Sequence, residues 1–478
     1  MIRRSWALWL ALIFMICMLL AGCGENFRPT IIPQPAPGGD PSANSQAVVL
    51  SNNPSTNVAG SADMHVNIGG DTVVNVVQVG ANPQFLGKTT GRVFIIDGNG
   101  SATLYSPTLA PSQAGTATSV VTFPSNATGA VSGAGVGGGD IFITNSSSDN
   151  VSRISNNAVV QTIDLGAGAR PVAAVASTLA NKVYVLNNGA NTVTVISALD
   201  DTIINTINVG KQPIWATISA DGEQVYVVNQ GDGTVSVIDT NLDQNFATIP
   251  VGTSPNFAFF DPKLLRVYVT NTGSSTLSII KGDGVNLQAT PPVIPTKLKD
   301  VTLSAPAVSV VALSDGTRAY AALGGCPAGT NHTNLMPTTN PPSPGNIVSC
   351  TGNRVSVVDV VGLRESKVIT INPLPLGANV TGTIGGAVSI DAAGDASKVY
   401  VIHANDQITI SGLAQPVRNG SLSIIKTSSD TETTDLNGNI TRIPAPQQDP
   451  ACTPKTVTGV TGQVPCDLQI PIVVRVTP

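Results

Sequence analysis

Apolar and polar positions alternate along most of the chain with a period of two, the pattern of strands packed against a core. The cleanest stretch is Val183-Tyr184-Val185-Leu186-Asn187, a short turn, then Thr192-Val193-Thr194-Val195-Ile196. It returns as Val225-Tyr226-Val227-Val228-Asn229 with Thr234-Val235-Ser236-Val237-Ile238, and as Val267-Tyr268-Val269-Thr270-Asn271 with Thr276-Leu277-Ser278-Ile279-Ile280. The aromatic positions 184, 226 and 268 stand 42 residues apart. Weaker copies centre on Phe94, Phe142, Tyr320 and Tyr400, which makes seven. A second marker keeps the same spacing. Val209-Gly210-Lys211-Gln212-Pro213 and Val251-Gly252-Thr253-Ser254-Pro255 repeat it, and Val79-Gly80-Ala81-Asn82-Pro83 matches. Pro171 and Pro306 fall where the pattern expects them and Pro124 does so loosely, while the seventh copy has Gly385-Gly386 in that place.

Each unit reads as four strands. In the cleanest, 214–219, 225–229, 234–239 and 245–251 are separated by Asp221-Gly222, by Gly231-Asp232-Gly233 and by a polar turn. Asp-Gly is a favoured hairpin turn. Four short strands per 40–45 residues is the repeat of a propeller blade, and a ring of blades buries faces that one blade cannot. The predicted fold is all-β, a seven-bladed β-propeller of four-stranded antiparallel blades over residues 47–426. The ring must also close. The run 71–79 reads as a lone fourth strand completing the seventh blade; 470–476 is also strand-like and competes for that slot.

Val267-Tyr268-Val269-Thr270-Asn271, with its Val-Gly-x-x-Pro companions, carries a resemblance. The chain resembles the YVTN-repeat seven-bladed β-propellers of surface-layer and exported proteins, over about residues 70–426. That resemblance implies a fold and not an activity, because propellers host enzymes, adhesins and scaffolds alike.

Composition agrees. Only 11% of the 478 residues are charged, against roughly 25% in an ordinary soluble domain, and there are 47 Gly and 34 Pro. Ample apolar content excludes a disordered chain. A net charge of −5 without a basic cluster argues against a nucleic-acid partner.

The first residues suggest an address. Arg3 and Arg4 precede an apolar run from Trp6 to Ala21, short for a membrane span and suited to a secretory signal peptide, 1–22. Leu20-Ala21-Gly22-Cys23 resembles the lipobox of bacterial lipoproteins. The resemblance implies cleavage before Cys23, lipid attachment at Cys23 and anchoring in the bacterial cell envelope. Gly24 in place of Asp points to the outer membrane. Residues 23–46 hold Pro29, Pro33, Pro35, Pro37 and Pro41 and read as an extended tether. Cleavage would remove Trp6 and Trp9 and leave Trp215 as the sole tryptophan. Cys326, Cys350, Cys452 and Cys466 remain as candidates for disulfides in an oxidising compartment. Three pairings are open; Cys326–Cys350 with Cys452–Cys466 closes the shortest loops, the second within a C-terminal extension, 427–478.

Chemistry is sparse. Leu323 to Arg354 carries a long insertion, and a second lies at 403–420 in the next unit. Both fall on the face shared by second-to-third-strand and blade-to-blade connections, so His332, Asn334, His403, Asn405 and Asp406 are candidate recognition-loop residues. His403 also holds the place of Asn187, Asn229 and Asn271, where closing a turn explains it better than a metal. His65, His332 and His403 lack zinc spacing, and no metal site is predicted. No cofactor is predicted either. Asp221, Asp232 and Asp283 could at most contribute oxygens to Ca²⁺, but turn chemistry explains them and no calcium loop is present. Trp215 reads as blade packing or as channel lining. No nucleophile elbow or phosphate loop occurs, so no catalytic residue is assigned. The leading expectation is a lipid-anchored binding or scaffold module with an unidentified protein or glycan partner. The rivals are a lactonase-like hydrolase or a quinoprotein-like enzyme with its site at the channel mouth, and a lipoprotein subunit of an outer-membrane assembly.

Overall fold

The chain divides into a leading unit, Met1–Ala43, and a second unit, Asn44–Pro478. The computed structural model describes residues 46–53, 61–80, 82–89, 92–98, 100–105, 119–123, 130–135, 139–177, 180–282, 293–324, 353–371, 380–383, 387–410, 417–434, 440, 442–445, 455–456, 463–464 and 469–477. The signal peptide, Cys23, the tether up to residue 45, Asp283 and the other four candidate cysteines lie outside them, as do His332 and Asn334, while Gln46 already belongs to a strand.

The second unit is a ring of eight antiparallel blades, not seven. Strands are lettered A to D from the axis outward. Blades 2 to 8 are the seven predicted repeats. Their A strands are Pro83–Thr89, Ala130–Gly135, Pro171–Ser177, Pro213–Ile218, Pro255–Asp261, Ala307–Ala312 and Ala387–Ala392. Blade 1 is assembled from both ends of the chain. Its A strand is Ile470–Thr477, and B, C and D are Gln46–Asn52, Ala62–Asn67 and Thr72–Gln78. Both candidate closing strands are therefore used, but neither completes the seventh repeat. The A strands neighbour one another round the axis, with Ile470–Thr477 seated between those of blades 8 and 2.

The eighth blade escaped detection for a physical reason. Its B strand has Val48 at the register of Tyr184 and Ser51 at that of Asn187, so both markers are missing. Ala47 to Leu50 are all buried, as are the B strands of the recognised repeats, so the missing markers alone set this strand apart. The proline marker survives, since Pro471 pairs opposite Ser51 just as Pro213 does opposite Asn229.

The sequence marks explain the blade. Proline opens strand A at positions 83, 171, 213 and 255 and stands second in it at 471, each beside a register shift, where its missing N–H costs no ladder bond. Pro306 falls one residue short, and Ala307 takes that register in blade 7. The D strands face outward and bury one branched residue each, such as Ile207, Ile249, Val301 and Ile369. Lys297, Lys299, Asp300, Arg364, Glu365 and Lys367 sit on these outer strands, so the charge that the cores exclude collects at the rim.

Blade 8 has six strands. Its B strand runs without break over Lys398–Ile410, pairs with Val417–Lys426, and is extended by Val380–Thr383. The segment read as an insertion from 403 to 420 is thus mostly a lengthened hairpin.

Candidate functional site

The inner strands of blades 1 to 5, with Val48, Val93 and Phe94 of the next strands out, line a half-open cavity of about 320 Å³. Small residues make the room: Gly87, Ala134, Gly135, Ala173, Ala174 and Ala176 all line it. Gly87 does more than leave space. A side chain there would collide with the Phe94 ring, so the absent Cβ lets that ring reach the cavity wall. Phe85, Leu86, Val175 and Ile218 add apolar surface. Trp215 lines the cavity and also packs: its ring centroid is 4.9 Å from that of Phe257 and Nε1 donates to the Ala258 carbonyl at 3.0 Å. Both expectations for Trp215 hold.

One ionisable residue lines this cavity, Arg475 of the closing strand. Its Nη1 donates to the Val474 carbonyl at 3.0 Å, and no ion pair to it occurs among the described residues. Asp391, on the neighbouring A strand, adds favourable charge, but its carboxylate accepts the N–H groups of Val476 and Ala392 at 2.8 and 2.9 Å. Burial pushes the guanidinium below its ordinary value, the Asp391 charge opposing this. A guanidinium nonetheless stays cationic at neutral pH.

Several other charged groups join blades. Lys182, Arg266, Arg318 and Lys398 each precede the repeat tyrosine by two residues. Lys182 Nζ meets Asp243 at 2.7 Å, Arg318 Nη1 meets Asp430 at 2.6 Å, and Arg266 donates to the Val360 carbonyl. In each case the acceptor lies on the C–D turn of the following blade. Arg153 makes the equivalent link to Asp201 at 2.9 Å and holds Asp140 as well. The tyrosines join in, with Tyr184 donating to Asp243 at 2.8 Å and Tyr320 to Asp430. Sequence reading missed these clamps, although the recurring cation before the aromatic was visible.

The repeat asparagines hold the B–C turns. Asn229 Nδ2 donates to Thr234 and Ser236 hydroxyls at 3.1 and 3.0 Å, and Asn187 and Asn271 repeat the arrangement. Blade 2 has Asp97 there, accepting from Ser101 and Thr103. Burial pushes its carboxyl up to about 7, and those two hydroxyls pull the other way. Between blades 1 and 2, buried Asp63 accepts from Tyr105, whose hydroxyl also meets His65 Nε2 at 2.9 Å. Burial pushes Asp63 up to about 7 and His65 down to about 4.

Of the predicted recognition residues, His332 and Asn334 lie outside the described residues, and His403, Asn405 and Asp406 share one strand. His403 is 0% exposed at the end of the regular B strand, opposite Ser421, so it is not a surface recognition group; its place in the repeat is that of the asparagines. Asn405 and Asp406 fall within the lengthened strand Lys398–Ile410. Asp221 and Asp232 each accept a backbone N–H, from Glu223 at 3.1 Å and Lys211 at 2.7 Å, which fits the turn reading. Among the described residues no group of three or more His, Cys, Asp or Glu is placed to hold a metal.

No protein-family model matches the chain, and no curated protein does. Solved structures do. A dihydro-heme d1 dehydrogenase, NirN, in complex with DHE superposes with a TM-score of 0.59 at 13% identity, over 86% of this chain and 76% of that one. Apo AztD from Citrobacter koseri superposes with a TM-score of 0.52 at 10% identity, over 90% of this chain and 98% of that one. Likeness at such identity shows the β-propeller fold alone.

Proposed function

We propose that this protein is an exported propeller, held at the bacterial cell envelope through lipid on Cys23, which binds a small ligand in its axial cavity. One observation carries the reading. Four consecutive inner strands, those of blades 2 to 5, place small residues where bulky ones would close the axis, and the space they leave is walled by Phe85, Phe94 and Trp215. Concave, mostly apolar space with very few polar groups is the usual form of a small-molecule site. A propeller hydrolase or quinoprotein would need several ionisable groups converging there, and Arg475 alone lines the described cavity. DHE in the NirN structure belongs to that protein, and nothing in the residues here specifies it.

Two measurements test the reading. Intact-mass analysis of the N-terminal peptide from the membrane fraction should find acylated Cys23, and Cys23→Ser should release the protein from the membrane. The neutral fluorophore N-phenyl-1-naphthylamine should bind the released protein, and Ala174→Leu should abolish that binding by filling the cavity. Unchanged binding by Ala174→Leu refutes the axial site.

A further inference from the structure

The inference rests on the axial cavity as a binding site and names what it takes. We propose that the cavity selects a small organic carboxylate with an apolar, preferably aromatic, body, the carboxylate pairing with Arg475.

A cation is costly on this strand. Ile470–Thr477 is otherwise uncharged, and its place in the sheet is against the axis, where seven other inner strands also run. At the register of Arg475 those strands present Gly87, Ala134, Val175, Thr217, Phe259, Val311 and Asp391. Five of the seven are apolar. A guanidinium in such surroundings is destabilising unless its donors are satisfied. Five of the other seven blades pack that level without a polar side chain, while Asp391 on the adjacent blade supplies an opposite charge.

The structural partners leave capacity unused. A guanidinium has five N–H donors, and Nη1 donates to the Val474 carbonyl. Asp391 sits on the adjacent strand, but its carboxylate is turned to the Val476 and Ala392 N–H groups. Arg475 lines the cavity, where a ligand can take up the remaining donors. A planar fork matches a carboxylate in two parallel hydrogen bonds, which is the geometry that favours Arg over Lys.

The walls define the rest of the ligand. Phe85, Phe94 and Trp215 offer aromatic surface, while Leu86, Val175 and Ile218 offer aliphatic surface. With about 320 Å³ available, the space suits an occupant of the order of a phenylalkanoate.

Trp215 reports directly on the cavity. The test uses the full chain carrying Cys23→Ser, Trp6→Phe and Trp9→Phe, so that Trp215 is the only tryptophan. Its fluorescence is followed during titration with 4-phenylbutanoate, 4-phenylbutan-1-ol and 4-phenylbutylamine. The acid should bind at least about ten-fold more tightly than the alcohol, and the amine should bind most weakly. Arg475→Gln should remove the preference for the acid, Arg475→Lys should keep part of it, and Ala174→Leu should weaken acid and alcohol together. Far-ultraviolet circular dichroism and melting curves establish that each variant is folded; should Arg475→Gln fail to fold, Arg475→Lys and the acid-to-alcohol ratio decide the matter. If the alcohol equals the acid, or a folded Arg475→Gln keeps the preference, the carboxylate assignment is overturned while the cavity stands. If no compound perturbs Trp215, or Ala174→Leu changes nothing, the binding site itself is overturned.

Discussion

Lys398 Nζ lies 2.8 Å from both carboxylate oxygens of Asp71, 327 residues earlier in the chain, and also donates to the Ile68 carbonyl at 2.7 Å. This is the blade-to-blade clamp of Lys182 and Asp243, used here between the last blade and the first. The ring therefore closes at two radii. Near the axis, Ile470–Thr477 pairs with Gln46–Asn52; further out, a lysine of blade 8 holds the C–D turn of blade 1.

Replacing Lys398 by Met should lower stability by about 1–3 kcal/mol, between the values for exposed and buried pairs, because both charges are mostly covered. Lys182→Met breaks the same kind of clamp away from the junction. Urea unfolding should show a similar loss for both. Hydrogen exchange should separate them, with faster exchange in Thr72–Gln78 only for Lys398→Met. Equal protection of that strand in the two variants would show that the clamp contributes nothing particular to closure.

The buried carboxyls make stability depend on pH. Asp63 and Asp97 are pushed up by burial from an ordinary 3.8 to about 7. Between those values the folded chain holds protons that the unfolded chain has released. Their contribution is thus complete below about pH 4 and is lost as pH rises through about 7. His65 opposes them. Burial pushes it from 6.5 down to about 4, so its contribution is complete above 6.5 and is lost as pH falls through 4. Asp97→Asn restores the residue used in blades 3 to 6 and removes one falling slope. Denaturation at several pH values should find this variant more stable than the parent by about 2–4 kcal/mol at pH 8, with the gap closing toward pH 4. A gap independent of pH would mean that Asp97 does not titrate in this range.

The tyrosine bonds give a smaller effect. Tyr184→Phe keeps the buried ring and deletes the hydroxyl that donates to Asp243. Since Lys182 still pairs with Asp243, the carboxylate keeps a partner, and the expected loss is about 1 kcal/mol in a thermal or urea melt. A loss several times larger would place the tyrosine at the centre of the clamp and the lysine in support.

The repeats were legible because Tyr184, Tyr226 and Tyr268 and the asparagines three residues on do the same structural work in each blade. The count was not, because the eighth blade does that work with Val48 and Ser51 and is split between the chain's two ends. Arg475 was hidden for a related reason. Its meaning depends on which strand lies at the axis, and no local pattern states that Ile470–Thr477 is an inner strand. His403 was legible as the register equivalent of Asn229, but not as a residue within a strand that runs on to Ile410, because the apparent insertion after it pairs as a hairpin.

The Val-Gly-x-x-Pro corner yields the last prediction. A Cβ on Gly252 would stand 2.6 Å from the carboxamide carbon of Asn271 and equally close to the Thr276 hydroxyl. Neither can withdraw easily, because Asn271 Nδ2 is bonded to Thr276 and Ser278 and the asparagine is fully buried. Gly210 stands over Asn229 in the same way, so the glycine and the asparagine are two halves of one contact. Gly252→Ala should cost about 1–3 kcal/mol as an overpacking change. Asn271→Ser introduces the residue type that Ser51 provides in blade 1 and shortens the obstructing side chain. The double variant should therefore lose less than the sum of the two single losses, a coupling readable in a double-mutant cycle by urea denaturation. Gly394→Ala is the control: a Cβ there meets nothing within 4 Å, and its stability should stay at or slightly above that of the parent. Strict additivity at 252 and 271 would show that the glycine answers to the turn and not to the asparagine beneath it.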